Sequence, residues 1–189
     1  MDLTPELLER AYRLACFPMP DELGRIRWIQ PDPRGVLPLD AFHASHSLRR
    51  TLAKQRFDIT YDQNFLGVMQ GCAARPQTWI TDDFYKGYCA LQRLGKAHSV
   101  EVWREGILVG GTYGVHLGGA FFAESKFHLE TDASKVALAH LVARLKQRGF
   151  ALLEVQFRTE HLAQFGVIEI PHAKYVPLLE SALRLQCEF

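Results

Sequence analysis

The chain has 189 residues, 48% of them hydrophobic, and its 22 basic and 21 acidic residues leave a formal net charge of +1. That length and apolar content supply one domain with a sizeable core plus a small appendage, and exclude a disordered chain. The near balance of charge excludes wholesale coating of nucleic acid, so such a contact must come from a local basic patch.

Thr4-Pro5-Glu6 opens a helix with proline at its first position, and Leu7, Leu8, Ala11, Leu14 and Ala15 follow at helical spacing to an end near Phe17-Pro18. The proline-rich stretch from Pro18 to Pro38 reads as an extended connector in which Trp28 and Ile29 can dock on something larger. Residues 1–40 are therefore expected to form a small N-terminal domain with its connector, and residues 41–189 the main domain. Asp62 is the expected cap of a helix carrying Phe65, Val68, Met69, Cys72 and Ala73 on one stripe. A second helix runs from about Thr81 to Gly95.

From His98 the period changes to two. Ser99 to Trp103, Ile107 to Val115 and Ala120 to Ser125, joined by Glu105-Gly106 and Gly118-Gly119 turns, predict three antiparallel strands. Asp132 is the expected cap of a helix with Ala137, Leu138, Leu141, Val142 and Leu145 on one face, closed by Gly149. A short strand at Leu152 to Phe157, a short helix near His161, a strand from Val167 to Ile170 and a last helix after Pro171 complete a mixed α/β domain.

Alternation along Leu152 to Phe157 turns Glu154 and Gln156 to one face, and Leu153, Val155 and Phe157 to the other. A carboxylate beside an amide suits acyl transfer to an amine: the first manages the ammonium proton, the second orients the nucleophile or steadies an oxyanion. The same pair also reads as a salt bridge beside a backbone-bonded amide. Glu124 and Ser125 carry the same ambiguity, and Gly110, Gly111 and Gly114 mark either a bulge or close approach of another group. Ala41 to Phe57 holds Arg49, Arg50, Lys54 and Arg56 with no acidic residue, which fits either phosphate contacts or a solvated helix face. Trp28, Trp79 and Trp103 read as base-stacking or core residues.

Four scattered cysteines, Cys16, Cys72, Cys89 and Cys187, form no C-x-x-C pair and read as reduced thiols. The histidines show no metal-ligand spacing, so no metal is expected. Met1 is followed by no basic and apolar leader, and no apolar run approaches the ~18 residues that span a bilayer; a cytoplasmic protein is expected.

Taken together, Phe17-Pro18, Trp28, Pro31-Asp32-Pro33-Arg34, Ser47-Leu48-Arg49-Arg50, Thr78-Trp79-Ile80, Ala97 to Trp103, Leu108 to Gly111, Tyr113-Gly114-Val115, Glu124-Ser125, Ala133-Ser134-Lys135, Gln156, His161-Leu162 and Phe165-Gly166 resemble the leucyl/phenylalanyl-tRNA–protein transferase family. The resemblance implies a catalytic domain with a GCN5-related acetyltransferase-like mixed sheet flanked by helices. It implies transfer of an amino acid, typically Leu or Phe, from its tRNA to the α-amine of a protein beginning with Arg or Lys, in the N-degron pathway. It implies no cofactor; a monomer whose partners are aminoacyl-tRNA and an acceptor N-terminus is expected.

By the same resemblance Glu154 and Gln156 occupy the catalytic Asp and Gln positions of an Asp-Cys-Gln motif, with Glu for Asp and Val155 for Cys. Thr112 and Lys126 stand where the family has methionines lining, with Leu153, the donor side-chain pocket. Trp28, Trp103, Glu124 and Ser125 fall at aminoacyl-adenosine positions, and Arg49, Arg50, Lys54 and Arg56 at tRNA-binding ones. A hydroxyl and an ammonium in place of two apolar walls put Leu and Phe recognition in doubt, because an unpaired buried charge costs several kcal/mol. A small-molecule N-acetyltransferase and a non-catalytic tRNA-binding module are the rival readings; the former lacks a glycine-rich coenzyme A loop at Thr131 to Val136.

Overall fold

The computed structural model describes residues 3–76 and 78–189; Met1, Asp2 and Gln77 lie outside them. Helix α1 (Pro5–Arg13) starts as predicted, the Leu7 N–H donating to Thr4 Oγ1 at 3.3 Å, and it buries Leu8, Ala11 and Tyr12. The stretch read as an extended connector instead folds into a hairpin of β1 (Phe17–Pro20) and β2 (Ile26–Ile29), and then β3 (Arg34–Val36). Prolines concealed the hairpin. In a two-stranded sheet both strands are edges, where a missing N–H is tolerated.

β3 belongs to a seven-stranded sheet with β4 (Asp58–Tyr61), β5 (Ala97–Arg104), β6 (Ile107–Leu117), β7 (Ala120–His128), β8 (Leu152–Gln156) and β9 (Ile168–Ile170). The order is β4-β5-β6-β7-β8-β3-β9. The predicted meander is β5, β6 and β7. β4, short and carrying Asp58 and Thr60, gave no clear strand signal. Neighbours pair antiparallel except β7 and β8, which run parallel.

Side-chain alternation sorts the strands onto two cores. Tyr113, Val115, Phe122 and Leu152 face a layer made by α1, α3 (Phe65–Ala73), α4 (Asp82–Arg93) and α7 (His172–Leu183). Phe121, Val100, Val102, Leu153 and Val155 face α5 (Ala133–Gln147) and residues of α2 (His46–Ala53), whose Leu48 is buried there. A short α6 (Glu160–Ala163) precedes β9.

Two expected caps are used otherwise. Asn64 caps α3, its Oδ1 accepting from the Gly67 N–H at 3.0 Å, while Asp62 stands at φ 59° and accepts from Ser99 N and pairs with His98 Nδ1, both at 2.8 Å. Asp132 precedes α5 at φ 70° without a capping bond; its carboxylate takes Lys135 at 2.8 Å and Thr51 at 3.0 Å. In both, a partner distant in sequence or a side-chain cation outcompetes the local N–H.

One feature of the sheet positions Glu124, Glu154 and Gln156. β7 and β8 are in register only at Ala120–Leu152, Phe121–Leu153 and Phe122–Glu154. Beyond these, β7 continues beside β6 to His128, while β8 stays with β3 through Glu154–Val36 and Gln156–Gly35. The sheet therefore opens between its two central strands.

Candidate active site

A bulge aims the first side chain at this opening. Tyr113 faces Ser125 and Gly114 faces Ala123, so Glu124 is the extra residue of β7. Gly114 permits the close crossing, since a Cβ there would lie 2.2 Å from the Phe122 carbonyl oxygen. The glycine is thus both a bulge mark and a close-approach mark.

Glu124 is buried. Its Oε1 accepts from the Tyr12 hydroxyl at 2.6 Å, and its Oε2 from the Tyr88 hydroxyl and from Gln156 Nε2, each at 3.2 Å. The two tyrosine hydroxyls are themselves 2.6 Å apart. Burial pushes Glu124 up to about 8, the Tyr12 hydrogen bond opposing and the Glu154 charge adding to the rise. Tyr12, Tyr88 and Tyr113 are all raised well above the usual phenol range, first by burial and next by the Glu124 charge.

On β8, Glu154 and Gln156 do share the face predicted for them, but they do different things. Glu154 is 1% exposed, and its Oε1 accepts from the Gln156 backbone N–H at 2.6 Å and from Arg34 Nη1 at 3.3 Å. Burial raises its carboxyl and the Arg34 charge opposes the rise. Arg34 is equally buried, donates to the Ala15 carbonyl, and lies 4.7 Å from the Tyr175 ring centroid and 5.4 Å from that of Phe17. Gln156 sits at φ 66°, the left-handed region that a glutamine enters at a cost of about 1–3 kcal/mol. The Glu154 bond to its N–H holds it there and sends its amide across the opening to Glu124. Gly35 makes room beneath: a Cβ there would sit 2.8 Å from the Phe157 carbonyl carbon.

The proposed donor-pocket residues lie on the other face of the opening. Thr112 is directly opposite Lys126, and its hydroxyl donates to the Ser125 carbonyl at 2.9 Å. Leu153 is fully buried in the α5 core. Lys126 has no carboxylate partner among the described residues; its Nζ lies 5.8 Å from the Phe165 ring centroid, and burial brings it down to about 8. Neither Glu124 nor Glu154 reaches it, and His161 is lowered first by burial and next by the Lys126 charge.

Ser125 Oγ accepts from Arg75 at 3.1 Å on the rim. Trp28 packs half-buried on β2, and Trp103, at the far end of β5, donates through Nε1 to Thr60 Oγ1 at 2.8 Å. No hydrogen bond links either tryptophan to Glu124 or Gln156 among the described residues. Arg49, Arg50 and Lys54 are exposed on and just after α2; Arg56 donates to the Thr131 carbonyl at 2.7 Å and borders a groove of about 610 Å³ between α2, β4 and α5. That groove touches none of the residues at the opening. Sequence reading missed Tyr12, Tyr88 and Arg34. Arg34 had a signal, a lone cation just before the apolar Val36-Leu37; the tyrosines, aromatic residues on amphipathic helices, had none.

Residues 36–180 match the family model for leucyl/phenylalanyl-tRNA protein transferase, and residues 1–32 match that for its N-terminal domain. The chain belongs to the leucyl/phenylalanyl-tRNA–protein transferase family. It is 53% identical over 188 residues to the leucyl/phenylalanyl-tRNA–protein transferase of Gloeobacter violaceus, covering 99% of this chain and 97% of that one. The namesake from Paramagnetospirillum magneticum is 54% identical over 188 residues, covering 96% and 90%. Among solved structures, L-PGS from Bacillus licheniformis superposes with a TM-score of 0.51 over 80% of this chain and 65% of its own, at 10% identity, a likeness of fold alone. As a family member the protein is an aminoacyltransferase acting from aminoacyl-tRNA to protein, built on a mixed sheet flanked by helices. Among the described residues no helix is long and apolar enough to cross a membrane, and no His, Cys, Asp and Glu cluster is suited to a metal ion.

Proposed function

We propose that the β7–β8 opening receives the aminoacyl ester of the donor tRNA, that Gln156 orients the attacking α-amine, and that Glu154 with Arg34 fixes Gln156. The observation that carries this is the convergence of Glu124, Glu154 and Gln156 where β7 and β8 part. With Nε2 donated to Glu124, Gln156 turns its Oε1 away from the carboxyl, as an acceptor for an amine N–H. The ester is already activated, so positioning suffices: the amine nitrogen bonds the acyl carbon, the bond to the tRNA ribose oxygen breaks, and the proton lost by the amine ends on that oxygen. Glu154, the longer carboxylate, acts by positioning because its Oε1 is taken up by Arg34 and the Gln156 backbone N–H.

The donor differs from Leu and Phe. Lys126 and Thr112 make one wall polar, and a buried ammonium with no carboxylate partner among the described residues favours a polar or anionic side chain over a cationic one. The acceptor is a protein beginning with Arg or Lys, within the N-degron pathway, and exposed Arg49, Arg50 and Lys54 contact tRNA phosphates with Arg56. Trp28, Trp103 and Ser125 contribute to adenosine binding at the rim. Residues 1–40 serve as an N-terminal unit that lends β3 to the sheet of a catalytic domain of residues 41–189, in a monomer of the cytoplasm.

Transfer from a fully charged tRNA pool to peptides of varied N-terminus, with the product identified by mass, tests this. A polar or acidic residue added to Arg- or Lys-starting peptides is expected. Undiminished preference for Leu and Phe contradicts the pocket argument, and tRNA binding without any transfer contradicts catalysis.

A further inference from the structure

We propose that Glu124 works as a neutral carboxylic acid, its proton closing a ring with the Tyr12 and Tyr88 hydroxyls, and that this ring is the positioning unit for Gln156. The proposal deepens the transfer reading and rests on it for its kinetic consequence. Its structural part stands on charge and proton counting.

Two carboxyls, Glu124 and Glu154, lie buried side by side, and a single guanidinium serves them. Arg34 is committed to Glu154 at 3.3 Å, whereas Glu124 has no cation within salt-bridge distance among the described residues. An uncompensated carboxylate in such a site takes up a proton in preference to remaining charged. The groups facing Glu124 are Tyr12 from α1, Tyr88 from α4, Tyr113 from β6 and Glu154 from β8, with Arg34 of β3 behind Glu154 and Arg75 at the rim beside Ser125. None of them except Arg34 and Arg75 is positive, and both of those are spent elsewhere.

The hydrogen bonds agree. Tyr12, Tyr88 and the carboxyl make three O···O contacts, of 2.6, 2.6 and 3.2 Å. Two hydroxyls bring two hydrogens, so with an ionised carboxylate one contact sets lone pairs against lone pairs; with the acid proton donated to one tyrosine, that hydroxyl turns to the other tyrosine and all three contacts carry a hydrogen. With every ring hydrogen used inside the ring, Glu124 has only an acceptor position left for Gln156, which must present Nε2 and turn Oε1 to the amine. The uncharged acid also matters to the reaction. An anion here would hold the incoming amine as unreactive ammonium and oppose the oxyanion of the tetrahedral intermediate. Tyr12 makes α1 a working part of the site.

Two readouts test this in the intact protein. Infrared difference spectra between neutral and alkaline pH are expected to show loss of a protonated-carboxyl C=O band in wild type and in Glu154→Gln, and no such loss in Glu124→Gln. Transfer kcat is expected to fall about tenfold by one pH unit above the Glu124 transition near 8. The fall moves to higher pH in Tyr88→Phe, which loses a hydrogen bond to the carboxylate, and is absent in Glu124→Gln. A band that disappears with Glu154→Gln, no band at all, or an alkaline fall that persists in Glu124→Gln overturns the proposal. If no transfer is detected at any pH, the function reading fails, and the infrared band still decides the state of Glu124.

Discussion

Arg34→Met removes the cation paired with the buried Glu154 carboxyl. Both Arg34 and Glu154 are 1% exposed and 3.3 Å apart, and stripping one partner from such a pair costs about 3–5 kcal/mol. The lost contacts with Phe17 and Tyr175 add up to about 2 kcal/mol, which methionine packing partly restores. The sign of the pH dependence separates charge from packing. Without Arg34, Glu154 rises further above its ordinary value of 4.5, so the folded state holds a proton that the unfolded state has lost. Stability from such a group is present below its unfolded value and drains away as pH climbs, by about 1.4 kcal/mol per pH unit. Urea unfolding at about pH 5.5 and about pH 8 should thus give a penalty for Arg34→Met, relative to wild type, larger by up to about 3 kcal/mol at the higher pH. Adding Glu154→Gln should recover most of it and flatten the pH dependence. A penalty equal at both pH values, or unrelieved by the second change, refutes the charge-compensation argument.

Lys126→Met restores an apolar wall. Because the folded ammonium falls from 10.5 to about 8, its cost is fullest below that pH and fades toward 10.5, so the variant should be more stable by up to about 3 kcal/mol at neutral pH, with a shrinking gain at alkaline pH in thermal melts. In the charged-pool assay the same variant should turn toward Leu and Phe. Gly35→Ala pushes a Cβ to within 2.8 Å of the Phe157 backbone, so transfer should drop by more than about tenfold and the fold should lose about 1–3 kcal/mol in urea unfolding. Replacing Arg49, Arg50 and Lys54 together by alanine should weaken tRNA binding and lower its log–log salt slope by about two to three, read by filter binding across salt concentrations.

The fold was legible where the pattern was strong. The strand residues on either side of the Glu105-Gly106 turn and the apolar stripe of α5 both appear where expected. β1, β2 and β3 hid behind Pro18, Pro20 and Pro33, because a sequence window cannot tell a connector from a hairpin made only of edges. Asp62 looked like a cap because it is a good one locally; only the fold brings Ser99 and His98 to it. The shared face of Glu154 and Gln156 followed from strand geometry alone, but their division of labour did not. Arg34 pairs with Glu154 across 120 positions and Tyr12 reaches Glu124 across 112, so no local pattern announces either.

Gln156→Ala in a single-turnover transfer assay bears most directly on the account. With charged tRNA of the preferred donor and an Arg-starting peptide, the rate should fall by about a hundredfold or more while tRNA affinity stays within about twofold of wild type. Transfer at the wild-type rate by this variant would contradict a site built around Gln156.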